Sequence, residues 1–126
     1  MLRLREHSDR RALSKSALAE RYIDEGMRME DHPGIVFRDG PTGRRAALAS
    51  GPDVWQVISA LKDQTEEGDA AVEAAAEWLS LPSSDVRSAL SYYGAFTEEV
   101  DARVEASRSD AEAAEAAWRR GQAALA

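Results

Sequence analysis

Few side chains in this sequence are of a type and spacing that could do covalent chemistry. There is no cysteine, which removes thiol nucleophiles, Cys-ligated zinc and disulfides together. Of the two histidines, His7 sits in a charged stretch and His32 directly before Pro33. Neither has a second ligand at the spacing of a zinc helix, and both read as solvated surface groups. The carboxylates are abundant, but they fall on helical surfaces without a flanking apolar pocket to raise a pKa for acid–base work. Asp39-Gly40-Pro41-Thr42-Gly43 is glycine-rich yet matches neither a Walker loop nor a dinucleotide fingerprint, and reads as a tight turn. No catalytic residue, metal ligand or cofactor is expected, and the chain does not read as an enzyme.

The residues suited to binding are more informative. In Ser14-Lys15-Ser16 two hydroxyls and a cation precede a helix, where backbone N–H groups lack internal partners. That arrangement would suit a phosphate, but by itself it reads first as an ordinary helix cap beside a solvated lysine. Arg44-Arg45, next to the turn, either reach phosphate or neutralise nearby acids. Trp118 is a large aromatic on a helix otherwise made of small and charged residues, between Glu115 and Arg119-Arg120. Aromatic and arginine side chains dominate interface hot spots, so Trp118 is a candidate partner contact; the alternative is packing against its own chain. Glu112, Glu115, Arg119 and Leu125 accompany it.

These residues need elements to position them. Residues 2–12 read as a short charged helix. Ser14 or Ser16 caps a second helix through Met29, with Leu18, Tyr22 and Met29 on one stripe, Ala19 and Ile23 alongside, and Gly26 where something packs closely. His32-Pro33-Gly34 ends it. Ile35–Arg38 is the strongly β-prone run, and Arg44–Leu48 returns as its hairpin partner. Helices are predicted over 53–63 (Val54, Val57, Ile58 and Leu61 inward, Trp55 at the edge), 69–80 (Val72, Ala75, Ala76, Leu79) and 84–95 (Val86, Ala89, Leu90, Tyr93). Tight turns between them suggest a trihelical, helix-turn-helix-like unit. From Thr97 the sequence is one long helix whose positions 100, 104, 107, 111, 114, 118, 121 and 125 form a heptad seam of mostly small residues. So little apolar area argues against a self-sufficient coiled coil, and the other reading is an amphipathic helix awaiting a groove. The fold class is therefore mainly α: a small β-hairpin, the trihelical unit and a long C-terminal helix. Three parts follow, residues 1–32, 33–96 and 97–126.

Composition agrees with a small chain that works through partners. Aromatics are 6% of its 126 residues, so its core is thin and a homodimer would help it. The net charge of −7 is unevenly spread. Residues 1–50 carry ten Lys/Arg against eight Asp/Glu, and residues 51–126 carry six against fifteen. The front half tolerates phosphate while the back half suits a basic protein surface, or is simply a well-solvated helical face. No apolar run is long enough for a membrane span, and a cytoplasmic protein is expected.

Two resemblances attach to these residues. Leu13-Ser14-Lys15-Ser16-Ala17-Leu18-Ala19-Glu20-Arg21, with Ile23-Asp24-Glu25-Gly26 and the charged stretch before it, resembles the two helices of a ribbon-helix-helix repressor. Phe37–Arg45, Asp53–Ile58 and Val86–Tyr93, followed by Glu98-Glu99-Val100-Asp101, resemble the small antitoxins catalogued as domain of unknown function 433, similar to VapB-type antitoxins. The resemblance implies a type II antitoxin that binds a PIN-like ribonuclease toxin and operator DNA. Glu112, Glu115, Trp118, Arg119 and Leu125 would then meet the toxin, and Ser14, Lys15, Ser16, Arg44 and Arg45 the DNA backbone. A stand-alone transcriptional regulator and a helical adaptor are the alternatives. One departure matters: a ribbon-helix-helix protein reads bases with an N-terminal strand, and here Met1 opens almost directly onto the first predicted helix. From the ribbon-helix-helix likeness only the phosphate contact at Ser14, Lys15 and Ser16 carries over.

Overall fold

The first helix is set by a local hydrogen bond. Ser14 is extended, and its Oγ accepts from the Ala17 amide at 3.1 Å, satisfying a donor that helix α1 (Lys15–Asp31) cannot pair internally. The computed structural model describes residues 14–41 and 43–126. The helix expected over residues 2–12 lies outside the described residues. At its far end α1 closes when the His32 amide donates to the Arg28 carbonyl at 2.9 Å, directly before Pro33.

Strands β1 (Ile35–Gly40) and β2 (Gly43–Leu48) then form an antiparallel hairpin with Ile35 opposite Leu48, Phe37 opposite Ala46 and Arg38 opposite Arg45. Gly43 takes φ +110°, a conformation side chains rarely adopt, which is why glycine stands at the exit of the turn. Since opposite residues share a face, Ile35, Phe37, Ala46 and Leu48 lie together on the face that joins the core. Arg38 and Arg45 share the other face, where two like charges in direct register repel. The structure separates them: Arg38 donates to the carbonyls of Gly51 (2.7 Å) and Leu48 (3.1 Å), and Arg45 turns to the Asp53 carboxylate.

Helices α2 (Val54–Lys62), α3 (Gly68–Leu79) and α4 (Ser83–Ala95) pack each on the other two. Gln56 Oε1 accepts from the Asp53 amide at 2.8 Å, tying down the start of α2. Ser80, in the left-handed region at φ +57°, ends α3. One residue, Phe96, separates α4 from α5 (Thr97–Ala123). Among the described residues there are five helices and one two-stranded sheet, and the class is mainly α with a small hairpin and a long C-terminal helix. The core joins Ile35 and Leu48 of the hairpin to Val54, Val57, Ile58, Val72, Ala75, Val86, Ala89, Tyr92 and Val100. No described helix is long and apolar enough to cross a membrane.

Several expectations are corrected. On α1 only Leu18 of the expected stripe is buried; Met29 is exposed and Ile23, alongside the stripe, is 65% exposed, because Glu25 takes the inward position between them. Gly26 has open space around it and no close packing partner. On α4 the fully buried tyrosine is Tyr92, one position before the expected Tyr93, which is only half-buried. His32 is half-buried and not fully solvated. Its ring packs edge-on against Tyr92 and Phe96, and Nδ1 lies 3.2 Å from the Ser91 hydroxyl.

Candidate protein-binding surfaces

Of the predicted phosphate contacts, Ser14, Lys15 and Ser16 stand exposed at the start of α1, with the Ser14 hydroxyl already used as the cap. Arg44 and Arg45 have protein partners. Arg44 forms a two-point contact with Glu25, Nε to Oε2 at 2.9 Å and Nη2 to Oε1 at 2.7 Å, and Glu25 is only 5% exposed. These hydrogen bonds outweigh the partial burial of the guanidinium and hold its pKa above the usual arginine value. Arg45 pairs with Asp53, which also accepts from the Trp55 indole at 3.0 Å. Arg45 Nη1 occupies the place that a Cβ on Gly40 would need, so residue 40 has no room for a side chain while this pair is made. Of the two readings open for Arg44-Arg45, the geometry realises the neutralisation of nearby acids. Both acids, Glu25 and Asp53, were missed as buried carboxylates. The spacing of Glu25, seven residues after Leu18, places it on the inward stripe and was the available signal.

Between α1, the hairpin, α2 and the start of α5 lies a cleft of about 360 Å³, with Phe37 and Trp55 in its wall and the guanidinium groups of Arg28, Arg44, Arg45 and Arg103 around it. It is electrically balanced rather than basic, since Arg28, Arg44 and Arg45 all face carboxylates at ion-pair distance. Among the described residues no cluster of three or more His, Asp or Glu side chains could hold a metal ion.

The adjacent tyrosines on α4 have separate uses. The Tyr92 hydroxyl donates to Glu99 Oε2 at 2.6 Å and accepts from Arg28 Nη1 at 2.8 Å, while Arg28 also reaches Glu99 Oε1 at 2.9 Å. Tyr93 donates to Asp101 Oδ1 at 2.8 Å, the same oxygen that accepts from Lys62 at 2.9 Å. Glu99 and Asp101 flank the buried Val100, so two clasps straddle one apolar contact: α1–α4–α5 on one side and α2–α4–α5 on the other. Burial raises the Tyr92 pKa, and the neighbouring Glu99 carboxylate raises it further against the opposing pull of Arg28. Hydrogen bonds from Lys62 and then Tyr93 lower that of Asp101, and the same contact raises that of Lys62.

Beyond this anchored start α5 leaves the body. Val100 is buried and Val104 packs against the core, but every residue from Arg108 onward is exposed. Trp118 is 65% exposed and Leu125 81%, so Trp118 does not pack on its own chain. Glu112, Glu115, Trp118 and Arg119 fall within one arc of the helix, and Leu125 lies in the turn just past its end at Ala123. Within that set Glu115 accepts from Arg119 Nη2 at 2.6 Å, one turn apart. Two exposed apolar sites escaped the sequence reading: Trp78, 78% exposed on the outward face of α3, and Met27 on α1. The apolar spacing of Val72, Ala75, Ala76 and Leu79 already put position 78 off the core face. No protein-family model, curated protein or solved structure matches the chain.

Proposed function

We propose that the chain is a cytoplasmic antitoxin of a type II toxin–antitoxin pair, a binding protein and not an enzyme, whose exposed C-terminal helix covers a basic surface of a PIN-like ribonuclease. The observation that carries this reading is the free half of α5. A helix that keeps an aromatic in water, with a leucine just past its end and the acids Glu112 and Glu115 beside it, gains little from its own fold. It gains much from a partner with an apolar pocket and a basic rim, the helix-in-groove mode of recognition. The acidic balance of residues 51–126 favours such a partner by electrostatic steering. The test is to co-express the chain with the ribonuclease encoded beside it and measure co-purification and RNase inhibition. A ribonuclease that neither co-purifies nor loses activity would remove the reading.

Autoregulation through operator DNA is the second part of the proposal, and it rests on Ser14-Lys15-Ser16. With Arg44 and Arg45 paired to Glu25 and Asp53, fewer of the described cations at this end are left to meet phosphates. Affinity built on few phosphate contacts is low and falls with salt in proportion to their number. The isolated chain should bind operator DNA weakly, and Lys15→Ala should reduce both the affinity and the slope of its salt dependence in a fluorescence titration. Tight binding unchanged by that substitution would remove the DNA part alone.

A further inference from the structure

We infer that the free half of α5 pairs with the same segment of a second copy, in antiparallel orientation. The inference concerns the chain by itself and does not rest on the toxin reading. Its first support is the stripe that continues the line of Val100 and Val104 after the body ends: half-buried Ser107, exposed Ala111, Ala114, Trp118 and Gly121 on the helix, and exposed Leu125 in the turn just past it, recurring at steps of four and three. Trp118 and Leu125 are the large apolar side chains of this stripe and stand in water in the single chain. Small residues between them allow two helix axes a close approach.

Charge selects the occupant and its direction. From Glu105 to Ala116 the helix carries Glu105, Asp110, Glu112 and Glu115 against Arg108, and from Ala117 to its end it carries Arg119 and Arg120 with no acid. Placed side by side in parallel, two copies oppose acid to acid and arginine to arginine. Reversed about a centre near Ala114, the cationic end of each copy lies along the anionic stretch of the other, with Arg119 level with Asp110. The helix dipoles are also aligned favourably only in that sense. In the same register Trp118 of one copy lies level with Ala111 of the other, and Leu125 level with Val104, where the core of the partner is incompletely covered. Ser107 of each copy then stands within one residue of the level of Gly121 of its mate.

The absence of cysteine makes the test direct. Ser107→Cys and Gly121→Cys are introduced singly into the full chain; Gly121 has open space around it. Light-scattering mass across a concentration series should rise from monomer to dimer for the unmodified chain. Arg119→Glu with Arg120→Glu should raise the dissociation constant at least tenfold while leaving the circular dichroism spectrum of the monomer unchanged. Under mild oxidation, mixing the two cysteine variants should give a cross-linked dimer, and neither alone should. A monomer at all concentrations would overturn the inference, as would a Ser107→Cys chain that cross-links to itself. A dimer indifferent to the arginine reversal, with no cross-link in the mixture, would place the interface elsewhere and overturn it as well.

Discussion

Glu25 and Arg44 show how much a single buried charge can fix. Glu25 is inside the protein because α1 must turn one face to the hairpin, and the two-point contact with Arg44 is what makes its burial tolerable. Removing the arginine leaves a carboxylate with neither water nor a cation. Arg44→Ala should therefore destabilise the fold by about 3 kcal/mol, whereas Glu25→Leu with Arg44→Leu should cost much less, in urea unfolding at neutral pH. Equal losses in the two variants would mean that the pair is not the link between α1 and the hairpin. Tyr92 offers a second test, through pH. Its buried neutral hydroxyl has a raised pKa, so its contribution is complete below the ordinary tyrosine pKa of about 10 and is lost as pH climbs toward the raised value. At pH 8 Tyr92→Phe should be less stable by about 1 kcal/mol, one net hydrogen bond. The gap should close as pH rises above about 10, because the variant has no hydroxyl to ionise there. A gap that stays constant through pH 11.5 would assign the loss to packing.

At the scale of elements, periodicity carried most of the information. The hairpin and the helices over 54–62, 68–79, 83–95 and 97–123 were all legible within a few residues, since each pairs an apolar spacing with a stop signal such as His32-Pro33-Gly34 or Leu81-Pro82. What escaped was which polar residue each element buries. Tyr92 and Tyr93 are neighbours of one type, and it is the tertiary packing of Tyr92 against His32, Phe37 and Phe96 that goes with its burial. Arg45 looked like a surface cation because its partner Asp53 is eight residues away, across a loop whose path the sequence does not reveal. The candidate site followed the same division. The exposure of Trp118 followed from the small and charged residues around it, whereas for Arg44 and Arg45 the neutralisation of acids was one of two readings and the identity of the acids, Glu25 and Asp53, was set by the tertiary fold.

For the whole molecule, the central contrast is between a body sealed by two clasps around Val100 and a helix that continues past it into water. Everything from Arg108 onward is exposed, so the body should not need it. The direct measurement is to delete residues 108–126 and follow the thermal midpoint together with neutralisation of the ribonuclease, with Trp118→Ala alongside. The proposal expects the midpoint of the shortened chain to stay within a few degrees of the full chain while neutralisation is lost. Trp118→Ala should weaken toxin binding by more than tenfold, about 2 kcal/mol for a hot-spot aromatic. A shortened chain that still neutralises would contradict the proposal, and one whose midpoint collapses would make the tail part of the fold and move the interface elsewhere.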